Sequence, residues 1–275
     1  MSAPGDLRRL DERQTLLGYV REVWRRREFA TALAVSELRS QNQDTALGQL
    51  WHLLNPLLLM GIYYLVFGLL LDVSRGVDNF LAFLAVGVFI FHYSQKTITG
   101  GAKSVVGNVG LIRSISFPRA LLPLSSLIGQ TLAFLPAIVL MLMVAVGTGE
   151  QPQVGWLLLV PVLVLQALFN LGSVMVAARL TDAFHDLQQL LPYVFRLLFY
   201  MSGVLYEVSR WTDDPTILAL FDANPFYAFI TLARDVVFHG TVGGTVLVSA
   251  VLWTVLALVV GFAYFRAGEQ RYGRG

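Results

Sequence analysis

The sequence predicts an all-α integral membrane protein with six transmembrane helices and both termini on the cytoplasmic side. Hydrophobic residues make up 56% of the 275 residues and charged residues only 14%. A soluble domain carries about a quarter charged residues, so this chain has too few to cover a water-facing surface. The apolar runs are continuous over about 20 residues and do not alternate, which favours helices over a β-barrel.

The first element is a charged segment, residues 1–50, which we expect to remain in the cytoplasm. It has no apolar stretch followed by a cleavage site, so we predict no signal peptide. Apolar residues recur in it at the i, i+1, i+4, i+7, i+8 spacing of a helix face: Leu16, Leu17, Val20, Val23 and Trp24. The other face carries Arg13, Arg21, Arg25 and Arg26. This predicts an amphipathic interface helix with its arginines near anionic headgroups; the alternative is a soluble helix packed on a partner.

Six apolar stretches are long enough to cross about 30 Å of hydrocarbon. In chain order they are Leu53–Leu71, Phe80–Ile98, Leu121–Val146, Val154–Ala178, Leu187–Tyr206 and Val242–Phe265. We therefore expect residues 51–265 to form a single transmembrane domain and residues 266–275 a cytoplasmic tail. Prolines within these stretches are compatible with membrane helices, because neighbouring helices can satisfy the freed carbonyl groups.

The distribution of positive charge predicts the orientation. With the N-terminus inside, sixteen of the twenty basic residues lie on the cytoplasmic side: Arg8, Arg9, Arg13, Arg21, Arg25, Arg26, Arg27, Arg39, Lys96, Lys103, Arg113, Arg119, Arg179, Arg266, Arg271 and Arg274. Loops rich in Lys and Arg stay on the cytoplasmic side of a membrane. The inverted topology would place these residues outside, and we reject it.

Two connecting segments are unusual. The cytoplasmic loop Thr99–Pro118 is long for a connection. The external segment Glu207–Gly240 is partly apolar but is interrupted by Pro215 and Pro225. Such a segment is too broken to span the membrane, so we predict short re-entrant helices in the outer leaflet before the last span.

The residues give no indication of a catalytic centre, a metal site or a bound cofactor. The chain has no Cys, which excludes thiolate chemistry. The stretch Gly100–Ser104 has Ala102 before Lys103, where a phosphate-binding Walker A loop requires glycine. The four histidines are scattered without the i, i+4 spacing of a helical metal site: His52, His92, His185 and His239.

Arg196 lies in the middle of the predicted span Leu187–Tyr206. A guanidinium facing lipid costs a few kcal/mol, so we expect it to face the protein interior or an aqueous cavity. It contacts an anionic substrate in one interpretation. In the other it pairs with carbonyl groups or an acid of a neighbouring helix, or extends towards the cytoplasm.

Three groups of residues resemble the ABC-2-type export permeases. At the entry to the first span, Arg39 is followed by Leu47-Gly48, Trp51 and Pro56, as in that family. The second cytoplasmic segment carries a further set in order: Asn108, Leu111, Ile112, Arg113, Phe117-Pro118-Arg119 and Leu122-Pro123. The third set is Asn224-Pro225, Arg234 and Gly240. The layout is similar to the branch that exports polysaccharides such as O-antigen and teichoic acid.

This resemblance implies the permease of a transporter in the bacterial inner membrane. The permease would be a homodimer paired with two separate ATP-binding cassette subunits, which bind the ATP and Mg. Asn108, Leu111, Ile112 and Arg113 would form the coupling helix that contacts the ATPase. The residues of the amphipathic helix would form a gate helix at the membrane surface. The cargo would be a polyprenyl-diphosphate-linked glycan, with membrane lipids around the permease and no nucleic acid partner.

The resemblance also implies a substrate path between the first and fifth spans of the two protomers. Aromatic side chains offer flat apolar faces with a polar tip, which suits a sugar chain. With Arg196, the candidate residues of this path are Tyr63, Tyr64, Phe67, Phe199, Tyr200 and Tyr206. The alternative is that these rings belong to the aromatic belts found at membrane interfaces.

We therefore predict an exporter of a lipid-linked glycan of the O-antigen, teichoic acid or cell-wall galactan type. One alternative is an ABC-2 exporter of small amphiphilic drugs or lipids. A second, from another class, is a membrane-embedded transferase that uses the adjacent acids Asp213 and Asp214.

Overall fold

The computed structural model describes residues 16–40, 48–71, 77–210, 212, 214–269 and 272, and every regular element in these ranges is a helix. The predicted all-helical class is confirmed. The helices are α1 (Leu16–Arg25), α2 (Arg27–Ser40), α3 (Trp51–Tyr63), α4 (Phe80–Ala102), α5 (Val109–Ser114), α6 (Leu121–Gly147), α7 (Leu159–Ala183), α8 (Leu187–Met201), α9 (Pro215–Asp222), α10 (Pro225–Arg234) and α11 (Gly244–Gly268).

Within the described residues, five helical stretches are long and apolar enough to cross a membrane. They are Leu53–Leu70, Phe80–Ala102, Leu121–Gly147, Val154–Ala183 and Gly244–Gly268. The first continues α3 as a π-helical segment, Tyr64–Leu70, and the fourth enters α7 through a 3₁₀ segment, Val154–Leu158. Five of the six predicted spans are thereby confirmed as helices of membrane-spanning length.

The fifth predicted span is shorter than the sequence suggested. Helix α8 ends at Met201, so its 15 residues reach only about 22 Å. The predicted end at Tyr206 is wrong because Gly203 adopts a left-handed conformation, with φ of 60°, which ends the helix. The hydroxyl of Ser202 donates to the carbonyl of Leu198 at 2.6 Å and satisfies one of the last helical acceptors.

The segment before the last span contains the two predicted short helices. The stretches Pro215–Asp222 and Pro225–His239 meet at an angle of 90°, and together they would count as a sixth, broken span. Each helix begins with proline after a capping side chain. Asp214 accepts from the amide of Thr216 at 2.8 Å, and Asn224 accepts from that of Phe226 at 3.0 Å.

Helix α4 is the centre of the bundle. In its membrane-length window 78% of the residues are buried inside the protein, against 17–39% for the other four stretches. Phe91 on α4 contacts Phe199 of α8 and Phe226 of α10, with ring centroids 5.2 and 5.6 Å apart. Helices α3, α6, α7, α8 and α10 all pack on α4, whereas α11 packs mainly on α7 and α2 on α6.

Arg234 fixes the position of α10 against the end of α8. Its guanidinium is buried and donates to the carbonyls of Gly203 and Val204, both at 2.8 Å. It also lies over the ring of Phe83 on α4, 3.4 Å from the centroid. Arginine offers five N–H donors in a rigid fork, so a single side chain satisfies two backbone carbonyls of the turn that follows α8.

The two ends of the bundle differ. We call the α1 end the end where α3, α6 and α8 begin and α4, α7 and α11 finish, because α1 packs there against the start of α6 and the end of α11. The opposite end carries α9 and α10 and is called the α10 end. There the indole of Trp156 donates to the carbonyl of Val237 at 3.0 Å.

Helices α7 and α11 cross at a pair of glycines. A Cβ atom on Gly172 would overlap the backbone carbonyl of Ala257, and one on Gly261 would overlap the backbone of Gly172. Small residues let membrane helices approach closely enough for backbone packing. The close packing of α7 against α11 therefore depends on these two positions.

We predict that Gly172→Ala separates α7 from α11 and destabilises the protein by about 1–3 kcal/mol, the usual cost of overpacking. The midpoint of thermal unfolding in detergent would fall. Gly147→Ala is the matched control, because no atom lies within 4 Å of a Cβ at Gly147. Equal midpoints for the two variants would contradict the proposed role of the crossing.

Candidate substrate groove and coupling surface

The structure brings the first and fifth predicted spans together through aromatic rings. Tyr63 on α3 stacks on Phe199 of α8, with centroids 5.1 Å apart and an interplanar angle of 29°. Phe67 lies beside Tyr63 at 6.4 Å. Phe199 is only 5% exposed, so it supports Tyr63 from the core and offers little surface of its own.

The other aromatic candidates lie nearer the α10 end. Tyr64 packs against Phe80, with centroids 6.4 Å apart. Tyr200 is 47% exposed, and its carbonyl accepts from the hydroxyl of Tyr206 at 2.8 Å. The turn after α8 thus folds Tyr206 back onto the backbone of Tyr200, and the ring of Tyr200 meets that of Phe199 edge-to-face with centroids 5.6 Å apart.

Arg196 lies on an exposed face of α8, between Tyr193 and Tyr200 at i, i+3, i+7 spacing. Its guanidinium is 5.9 Å from the centroid of Tyr193. In the part of the chain that the structure describes, Arg196 forms no salt bridge with an acid. Among these residues, the neighbour of Arg196 is therefore the ring of Tyr193 and not the carboxylate that one interpretation of the sequence predicts.

A groove of about 900 Å³ opens between α3, α4, α6 and α8. Its lining residues are Trp51, Asn55, Leu58, Leu59, Ile62, His92, Gln95, Lys96, Thr99, Gly100, Lys103, Gln130, Gln188 and Pro192. A small cavity of about 30 Å³ adjoins it and shares His92, Lys96 and Gln130. The groove lies along the same α3–α8 border as the aromatic pair, but towards the α1 end.

The groove changes character along its length. Trp51, Lys103 and Gln188 lie at the helix ends that form the α1 end, whereas Ile62 lies eleven residues further along α3. At 1.5 Å per residue this is a depth of about 16 Å. The groove is therefore polar and basic at its mouth and more apolar further in.

The predicted coupling residues form a short surface helix at the α1 end. Asn108 closes a 3₁₀ turn before α5, and Leu111, Ile112 and Arg113 lie on α5. Ile112 packs against a small apolar cluster that includes Tyr19 and Phe265. The outer side of this helix is left accessible, with Ile115 just after it 46% exposed.

A polar junction ties α1 to the bundle beside this surface helix. The hydroxyl of Tyr19 donates to the Glu269 carboxylate at 2.7 Å and accepts from the amide of Ala120 at 3.2 Å. The same carboxylate accepts from the amide of Arg119 at 2.9 Å. Burial, aided by the Glu269 charge, raises the pKa of the Tyr19 hydroxyl, so it keeps its proton as a donor. We call Tyr19, Glu269 and the Arg119–Ala120 amides the α1 latch.

Helix α1 does not bury all of the apolar residues predicted to share one face. Tyr19 is buried and Val23 packs beside it, but Val20 and Trp24 are 51% and 69% exposed. The helix predicted at this position is present; the side chains of Leu16 and Leu17, and all of Arg13, lie outside the described residues. The exposed Val20 and Trp24 leave an apolar edge of α1 available to a membrane or to another chain.

Further contacts connect α1 and α2 with the segment around α5. The guanidinium of Arg26 donates to the carbonyl of Ser116 at 3.1 Å, and Phe29 packs on Phe117 with centroids 5.2 Å apart. Burial raises the pKa of the Glu37 carboxyl on α2, and a hydrogen bond from Asn108 partly opposes that increase. The N-terminal helices and the surface helix thus form one packed unit.

The sequence does not predict the contact between Tyr19 and Glu269 or the place of Lys96 and Lys103 in the groove. Tyr19 does not stand out in the sequence because it lies among the apolar residues of α1. Its partner, Glu269, is 250 residues further along the chain. From the sequence, the two lysines contribute only to the positive charge expected on the cytoplasmic side. The sequence does single them out, because they are the only two lysines among twenty basic residues. Their spacing of seven residues also places them on the same face of a helix, two turns apart.

The described residues define a multi-pass membrane protein with a basic groove at one end, a broken helix pair at the other and an exposed surface helix beside the groove. The family of ABC-2 type transporters matches residues 29–238. The chain belongs to this family, whose members are membrane subunits of transporters.

Three relatives show similarity over most of the chain. An O-antigen export system permease protein RfbA of Klebsiella pneumoniae is 26% identical over 89% of this chain and 93% of its own length. The protein of the same name from Myxococcus xanthus is 27% identical over 78% and 82%. The polysialic acid transport protein KpsM of Escherichia coli is 25% identical over 87% and 93%.

We predict that Tyr19→Phe releases α1 from the bundle. The change removes the hydroxyl that donates to the Glu269 carboxylate and accepts from the Ala120 amide. Leaving these two groups without that partner costs about 1–3 kcal/mol. Hydrogen exchange of the α1 amides should accelerate roughly tenfold or more, because local opening becomes easier. Tyr193→Phe, at a ring that is 67% exposed, is the control, and unchanged exchange in α1 of the Tyr19 variant would refute the latch.

Proposed function

We propose that the chain is the permease subunit of an ABC exporter that moves a lipid-linked polysaccharide out of the cytoplasm. The observation that carries the proposal is the similarity over most of the chain to permeases named for O-antigen export and polysialic acid transport. The groove and the aromatic rings along the α3–α8 border support it, since an amphiphilic glycan needs both polar and flat apolar contacts. O-antigen, teichoic acid and cell-wall galactan chains are the candidate cargoes.

In this proposal the α1 end faces the cytoplasm of a bacterium and the protein lies in the inner membrane. The concentration of Arg and Lys in segments at that end supports this orientation. Two copies of the chain pair with two ATP-binding cassette subunits, which hold the ATP and Mg. Helix α5 is the coupling helix, with Leu111 and Arg113 towards the ATPase.

The path of the glycan runs along the border of α3 and α8. Tyr63 and Tyr200 offer ring surfaces to the sugars, Phe199 holds Tyr63 in place, and Arg196 attracts anionic groups. Tyr64, Phe67 and Tyr206 complete the aromatic lining. Helices α9 and α10 close the α10 end on the outer side, and α1 is the gate helix at the inner membrane surface.

A transferase built on Asp213 and Asp214 has less support. Asp214 caps α9 through the amide of Thr216, which gives it a structural role, and Asp213 lies outside the described residues. Export of small amphiphilic drugs or lipids is the alternative within the same family, because the groove alone would also admit a smaller molecule.

Deletion of the gene separates these alternatives. We expect the polyprenyl-linked glycan to accumulate in the cytoplasmic leaflet and the surface polymer to disappear, with recovery when the wild-type chain is supplied. The measurement is extraction of lipid-linked glycan together with labelling of the polymer at the cell surface. Increased sensitivity to drugs with normal surface polymer would overturn the proposal in favour of the small-molecule exporter.

We predict that Leu111→Asp on α5 abolishes transport and uncouples the ATPase. A charge placed in an apolar docking surface is left without a partner and costs several kcal/mol. The purified permease alone should hydrolyse no ATP, and the purified complex should hydrolyse ATP at a rate that substrate alters only when Leu111 is intact. Val154→Asp, at an 83% exposed position of the α10 end, is the control. Normal transport by the Leu111 variant would contradict the assignment of α5.

A further inference from the structure

The face of α4 that lines the groove carries both lysines of the chain. From His92 to Lys103, the groove residues recur at i, i+3, i+4, i+7, i+8 and i+11. This spacing places them on one continuous face of the helix. Lys96 and Lys103 are two turns apart on it, about 10 Å along the axis. The groove thus has one ammonium at its mouth and a second further inside.

These charges have no acidic partner in the part of the chain that is described. No Asp or Glu lines the groove, and no described carboxylate forms a salt bridge with Lys96 or Lys103. Lys96 is partly buried within a membrane-length helix. An ammonium in such a place is costly unless an anion pairs with it, which makes it a candidate functional site.

An uncharged donor lies between the two lysines. The amide nitrogen of Gln130 on α6 is 3.5 Å from the position that a Cβ on Gly100 would occupy, so it rests against the backbone of α4. Gln130 and Gly100 both line the groove. The site therefore combines two cations with an amide N–H donor, a set suited to phosphate oxygens.

We propose that Lys96 and Lys103 bind the diphosphate group of a polyprenyl-diphosphate-linked substrate, an assignment that rests on the proposed function and deepens it. A diphosphate diester carries two negative charges, which match two ammonium groups, whereas a phospholipid phosphate diester carries one. Leu58, Leu59 and Ile62 of α3 lie further along the same groove and contact the isoprenoid next to the diphosphate. Lys103 receives the head group at the mouth and Lys96 holds it deeper in the membrane.

The test is binding of matched lipids to the full chain in phosphatidylcholine nanodiscs, measured by titration with native mass spectrometry. The probes are undecaprenyl-diphosphoglucose and undecaprenyl-monophosphoglucose, which differ by one phosphate. The wild type should prefer the diphosphate. Lys96→Met and Lys103→Met should each weaken diphosphate binding about tenfold, the usual range for a hydrogen bond to a charged group, and the double variant should lose the preference.

Two controls keep the result specific. Lys96→Arg retains the charge and should retain most of the preference, which shows that the loss in Lys96→Met is not misfolding. Arg210→Met removes one positive charge from an exposed pair with Glu207 at the α10 end, where loss of an ion pair costs little, and binding should be unchanged.

Three outcomes would overturn the assignment. They are equal binding of the two probes by the wild type, unchanged diphosphate binding in the double lysine variant, and equal competition by phosphatidylglycerol, which would make the groove a general site for anionic headgroups. These results are independent of the deletion experiment. If surface polymer depends on the gene but the lysine variants bind and export normally, the inference fails while the proposed function stands; if surface polymer is independent of the gene, the proposed function itself fails.

Discussion

A bilayer offers a polypeptide backbone no hydrogen-bond partners, and the arrangement of α8 and α10 follows from this constraint. Helix α8 ends at Met201, and the residues that follow it are buried, so their backbone carbonyls need hydrogen-bond donors from within the protein. The guanidinium of Arg234 meets the carbonyls of Gly203 and Val204 and lies on Phe83. A single side chain thus satisfies the carbonyls of the turn that follows α8, and it fixes the position of α10 against α4.

The sequence predicted the parts of this fold that depend on continuous patterns. Five long apolar helices and the break at Pro215 and Pro225 were visible in composition and local residue type, whereas the short helix around Leu111 was expected only from the family resemblance. The early end of α8 was not, because it depends on Gly203 meeting Arg234 thirty-one residues later. Local signals cannot report such a contact, and an apolar run that continues to Tyr206 looks like an ordinary span.

In the candidate site, too, local features could be predicted from the sequence and contacts between distant residues could not. Aromatic residues on α3 and α8 could be nominated from their positions in the chain, and the structure does bring Tyr63 and Phe199 into contact. Their burial could not be foreseen, and Phe199 became a supporting residue. The α1 latch was beyond sequence reasoning, since Tyr19 and Glu269 are joined only when the first and last helices of the bundle meet.

The mouth of the groove and the surface helix are physically continuous. Lys103 caps α4, and its carbonyl accepts from the amide of Gly107 at 2.8 Å. The side-chain amide of Asn108 donates to the backbone carbonyl of Ser104 at 2.9 Å. A displacement of α5 is therefore carried by hydrogen bonds to the end of α4, with no flexible linker between them. In the proposed exporter, movement of the ATPase against α5 would therefore reach Lys103 at the mouth of the groove before the partly buried Lys96 further inside, which gives the bound head group a direction of travel into the membrane.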